Sequence, residues 1–123
     1  MSSTPEPASV SLVDSAAIKQ IVDRNQVWPK MAAKYGVENP VPPWKTSLDG
    51  LCDALDQASC DSDAPSFKER RDEEDALSAT IYSDLPYPEN QLISLAHSLI
   101  VRGIVTEAEL QQRISAIRQR LEA

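Results

Sequence analysis

The residues most able to do chemistry fall in the middle of the chain. Two adjacent arginines, Arg70 and Arg71, sit inside the run KERRDEED, and Tyr82 and Tyr87 follow in a stretch that also holds Pro86 and Pro88. A guanidinium is a rigid, permanently charged fork of N–H donors suited to carboxylates and other oxyanions. On composition alone Arg71 finds Glu74 and Asp75 at helical spacing, so an ordinary solvated ion pair is the expected state. The acidic run Asp72–Asp75 imitates a cation site in one-letter code. Successive helical positions point about 100° apart, however, and do not converge on one ion.

The other reactive groups are sparse. There are 2 cysteines, Cys52 and Cys60, and 1 histidine, His97. On one helix the two thiols would stand about two turns apart, too far for a disulfide, and they are expected to be free. Neither they nor His97 have the spacing of a compact metal clip. His97 lies near the apolar side of its segment and is expected to be a satisfied structural histidine. Tyr82 is expected to serve packing. The net charge of −7, from 19 acidic and 12 basic residues, opposes a nucleic-acid role, which needs a basic face against phosphates. Arg113, Arg118 and Arg120 concentrate the basic charge near the C-terminus, a solvated or partner-facing surface. Neither a secretory leader nor an apolar run of about 20 residues is present, so a cytoplasmic location is expected.

The elements that must position these residues read as helices throughout, and 9 prolines against 3 glycines punctuate them. Residues 1–12 read as a disordered tail. From Asp14, expected as a cap, the stripe Ala17, Ile18, Ile21, Val22 predicts a helix running to Pro29. A short helical piece over Met31–Tyr35 ends at Gly36. Pro40, Pro42 and Pro43 form an extended connector. Thr46 or Ser47 is expected to cap a helix with the face Leu48, Leu51, Cys52, Leu55. Ser59–Pro65 reads as a loop, and Ser66 opens a helix from Phe67 to about Ile81. Pro88 suits a first helical turn, followed by a face of Leu92, Leu95, Ala96, Leu99 and Ile100 that stops at Gly103. Thr106 and Glu109 form a capping box for a last helix whose seam is Leu110, Ile114, Ile117 and Leu121. The expected fold is all-α, about four to five helices with a C-terminal αα-hairpin and an extended, partly disordered N-terminal arm. In domain terms this is a tail over 1–12, an arm and connector over 13–43, and a helical domain over 44–123. The core is small and the N-terminal third looks loosely attached. Burial is therefore expected to be completed against partner subunits, with Trp28, Trp44 and Phe67 as large apolar groups for interfaces.

Within that helical domain, the stretch from Phe67 to Leu110 resembles the N-terminal helical domain of the nitrile hydratase β subunit, and equally the β subunit of thiocyanate hydrolase. FKERRDEEDAL, IYSDLPYPENQL and SLIVRGIVTEAEL carry the resemblance, in family order and without gaps; PPWKTSLDGLCDAL resembles the family's preceding tryptophan-containing helix. The sequence ends at Ala123, where the usual β subunit continues into a β-barrel domain, so it resembles the separate helical chain of three-subunit relatives such as toyocamycin nitrile hydratase. The family's Tyr-Tyr pair is here Tyr87–Pro88, so only the first tyrosine carries over.

The resemblance implies a subunit of a heteromeric hydro-lyase, inactive alone, that helps convert a nitrile to an amide. The metal, Co(III) or Fe(III), would sit in a CxxCSC cluster of a partner α subunit, and a separate β-barrel subunit would complete the assembly. No cofactor or metal ligand is implied in this chain. Arg71 would hold the oxidised cysteine ligands of the partner's metal through its donor fork. Tyr87 would wall the pocket and hydrogen-bond there. Arg70, turned away by one helical position, would make a surface or intersubunit pair. Two related readings stand beside it: a thiocyanate hydrolase β subunit, which shares these residues, and a nitrile hydratase activator acting as a metallochaperone, which resembles the same helical domain but is opposed by the retention of Arg71 and Tyr87. A plain helical interaction module, such as a helix-turn-helix regulator, is opposed by the acidic charge.

Overall fold

A computed structural model of the chain describes residues 12–122, the side chains as far as Leu121. The expected tail therefore lies, save for Leu12, outside the described residues. Within them the chain is all-helical: α1 (Ala16–Arg24), α2 (Trp28–Tyr35), α3 (Lys45–Ala58), α4 (Phe67–Ser78), α5 (Glu89–Val101) and α6 (Glu107–Glu122), with no strand among the described residues.

Local chemistry sets the helix ends. Ser15, not Asp14, caps α1, its hydroxyl accepting from the Ile18 N–H at 3.1 Å. That helix stops at Arg24 because Asn25 turns left-handed at φ 51°. Asparagine tolerates this conformation better than most non-glycine residues. α1 thus ends short of the expected stop at Pro29, and the short piece expected over Met31–Tyr35 begins earlier, at Trp28, so that six helices stand among the described residues where about four to five were expected. Pro29 accordingly does not terminate a helix; it lies in the first turn of α2, where its missing N–H is harmless. Gly36 closes α2 at φ 68° as expected.

The helix α3 begins at Lys45 after Trp44 and has no side-chain cap, so neither Thr46 nor Ser47 plays that part. Ser66 and Glu69 form a reciprocal capping box on α4. That helix ends at Ser78 rather than near Ile81, and Tyr82 follows in a tight turn whose N–H returns to the Leu77 carbonyl at 3.0 Å. Pro88 is the N-cap of α5 rather than its first helical residue. The Thr106–Glu109 box opens α6 as expected.

The core surrounds α5, which is covered on most sides. Ile93 packs with Ile18 of α1, Leu77 of α4 and Tyr82, while Leu95 and Leu99 pack with Leu48 and Leu55 of α3. Burying each such side chain stabilises the fold by about 1.5–3 kcal/mol. The most extensive helix packing is α4 on α5; α6 follows α5 through the turn at Gly103 and leans chiefly on α1. The N-terminal third is not loosely attached at α1, because Ile18 is only 2% exposed. Two residues expected on buried faces, Leu51 and Leu92, stand at the surface.

Polar groups cross this core in pairs. His97 is fully buried, with Nδ1 2.8 Å from the Tyr82 hydroxyl and the two rings edge to face. Burial raises the Tyr82 phenol above its ordinary range and keeps it neutral. Glu73, within the charged run KERRDEED, is also buried. Its carboxylate accepts from the Arg102 guanidinium at the end of α5, and the other arm of Arg102 reaches Glu69 at 3.0 Å. These bonds raise the Arg102 guanidinium further, the one to Glu73 being the larger cause, and hold it charged.

Candidate functional site

Helix α4 presents opposite faces to the core and to solvent. Glu73 and Leu77 turn inward, whereas Arg71, two residues before Glu73, turns outward. The Arg71 side chain is 63% exposed, and its ion partner is Asp75, with Nε 3.4 Å from the carboxylate. An exposed pair of this kind contributes roughly 0–1 kcal/mol and leaves the guanidinium free to change partners. Arg70 is held differently. It bridges α4 to α3 through Asp56 at 2.7 Å, donates to the Pro65 carbonyl at 3.2 Å and lies over the Phe67 ring at 6.0 Å. It is thus a tie between two helices of this chain.

Tyr87 lies in the connection between α4 and α5, and its side chain is exposed. The Lys45 ammonium, at the start of α3, sits 5.4 Å from the centre of its ring, within cation–π range. Lys45 also pairs with Asp49, one turn along α3. The bond to Asp49, followed by the contact with Tyr87, raises the Lys45 ammonium above its ordinary value despite an opposing desolvation effect. Burial raises the Glu74 carboxyl, while the positive charges of Arg71 and Lys45 both act to lower it. Glu74 thus lies within electrostatic reach of Arg71 on its own helix and of Lys45, which in turn lies over Tyr87.

A cavity of about 270 Å³ lies between α3, α4 and α5. Arg71, Glu74, Asp53, Cys52, Phe67 and Gln91 are among its walls. Cys52 is half-buried, and burial raises its thiol above the ordinary range, which disfavours the nucleophilic thiolate. Cys60 is exposed in the turn after α3, and both cysteines are free. His97 is enclosed beneath Tyr82 and does not line the cavity. The accessible chemistry is consequently an exposed guanidinium, a phenol beside an ammonium, and an acidic wall. Among the described residues no cluster of three or more His, Cys, Asp or Glu side chains is placed to hold a metal ion.

Both residues singled out in the sequence, Arg71 and Tyr87, are at the surface. Trp28 and Trp44 are half-buried within the chain, and Phe67 is 63% exposed. Lys45 was not foreseen. Its local signal is the four-residue spacing to Asp49, but its position over Tyr87 is a tertiary contact that spacing does not encode. Comparison with protein-family models, with characterised proteins and with solved structures finds no match for the chain. Among the described residues no helix is long and apolar enough to cross a membrane.

Proposed function

We propose that the chain is the helical β-type subunit of a heteromeric nitrile hydratase, hydrating a nitrile to an amide at a Co(III) or Fe(III) site held by a partner α subunit. The resemblance from Phe67 to Leu110 supports this reading. The observation that carries it is the exposure of both Arg71 and Tyr87, with Arg71 paired to a surface carboxylate.

An arginine built for this chain's own stability would resemble Arg102, fixed between two carboxylates. Arg71 instead offers its donor fork outward, where the oxidised cysteine oxygens of a partner are suitable acceptors. On docking, Asp75 would be exchanged for those oxygens at little cost, because an exposed ion pair is weak. Tyr87 would close one wall of the substrate site, its hydroxyl available as donor or acceptor. The metal would supply Lewis-acid activation of the nitrile or of an attacking oxygen. This chain's part is to orient the metal's anionic ligands and to shape the pocket.

The test is an amide-production assay on the complex recovered from its native cell, with wild-type chain and with Arg71→Lys. Lysine keeps the charge but loses the planar fork. Loss of such an outer partner costs about 10–100-fold in metal affinity or activity, and a fall of that size with assembly unchanged is expected. Equal turnover by the two complexes would remove Arg71 from the metal's surroundings.

A further inference from the structure

Helix α6 carries a second surface that includes neither Arg71 nor Tyr87. Its apolar seam, Leu110, Ile114, Ile117 and Leu121, advances by alternating steps of four and three residues, the pattern of a coiled-coil strand. The seam is buried at one end only. Leu110 packs on the core and Ile114 is half-buried, whereas Ile117 is 44% exposed and Leu121 is 80% exposed. Beside it, Ala17 and Gln20 of α1 with Gln111, Ile114, Ser115 and Arg118 of α6 enclose a groove of about 230 Å³.

The charges around the seam give the occupant its chemistry. If Ile114 and Leu121 are a positions and Ile117 is d, then Arg113 and Arg120 are g positions and Arg118 is an e position. These are the sites from which coiled coils select partners by charge. All three are arginines in a chain of net charge −7, so the charges flanking this seam are opposite in sign to the chain as a whole. A second copy is a poor occupant. Parallel pairing would set g-position against e-position arginines, and antiparallel pairing would set like positions together, arginine facing arginine in both. An anionic lipid surface fits poorly as well, because the exposed stripe is one seam wide and the whole chain is acidic.

We infer that the exposed half of α6 and the adjoining α1–α6 groove dock an amphipathic helix of another polypeptide that carries glutamate or aspartate at its e and g positions.

The test uses the full chain and a synthetic heptad-repeat helix with leucine at a and d and glutamate at e and g, followed by fluorescence anisotropy. A matched helix with lysine at e and g is the control. The wild-type chain is expected to prefer the glutamate helix by roughly tenfold or more, three charge pairs acting together. The triple change Arg113→Glu, Arg118→Glu, Arg120→Glu is expected to reverse that preference. Ile117→Ser with Leu121→Ser is expected to abolish binding while the far-ultraviolet dichroism stays that of the wild type, since both side chains are exposed. Failure to bind either helix, or equal affinity for both, would overturn the inference. So would concentration-dependent self-association abolished by the serine pair, or capture by anionic vesicles lost on charge reversal.

Discussion

Two arginines of this chain, Arg102 and Arg71, face opposite circumstances. Arg102 closes the end of α5 against α4, gripping buried Glu73 with one arm and Glu69 with the other. Arg71 stands on the outer face of α4 with Asp75 as an exposed companion. The first is fixed by the fold, because its removal would strand a carboxylate in the core. The second is left adjustable, held only weakly by a solvated partner. An ion pair therefore reveals its role through the exposure of its partner, and the charged run KERRDEED mixes both kinds within a few residues.

The sharpest way to break this comparison is to show that the inner face of α4 is dispensable. Leu77, two per cent exposed and central to the core, should lose about 3 kcal/mol of stability as Leu77→Ala in urea melts. Arg102→Ala should cost about 2 kcal/mol, less than for a fully enclosed pair because Arg102 keeps some solvent contact. An unchanged midpoint would make the Glu73 contact ornamental. A smaller effect concerns the tie between α6 and α1. Ser15 Oγ and then the Ala17 N–H donate to the Glu107 carboxylate and hold it below its ordinary 4.5. This stabilisation is present in full above that ordinary value and fades as pH falls through the lowered folded value. Glu107→Gln should cost roughly 0.5–1 kcal/mol at neutral pH, as a lost cap does, and should flatten part of the acid limb of the stability curve. Arg71→Lys should move the urea midpoint by less than about 0.5 kcal/mol. A large loss there would place Arg71 with Arg102 and erase the contrast.

The helical class and the helix-start signals at Ser66 and Thr106 were legible because they are local: a capping residue, a spacing, a proline. Ile18, Leu48, Leu55, Leu95 and Leu99 were legible as core through helical periodicity. The end of α1 at Arg24 was missed because asparagine is a weaker stop signal than the proline that follows it. Burial of Glu73 was illegible because its partner Arg102 lies 29 positions away, and no window over α4 contains both. The same holds for Lys45 over Tyr87, where the sequence shows each residue but not their meeting. Arg71 and Tyr87 were found through resemblance, since their surroundings alone read as solvated surface.

The most direct measurement is the composition of whatever stays bound to the full chain when it is purified from its native cell. Metal analysis and mass spectrometry of the purified assembly are expected to find a stoichiometric partner with oxidised cysteines and about one cobalt or iron per partner chain. A partner-free, metal-free chain, or nitrile hydration by this chain alone, would contradict the account.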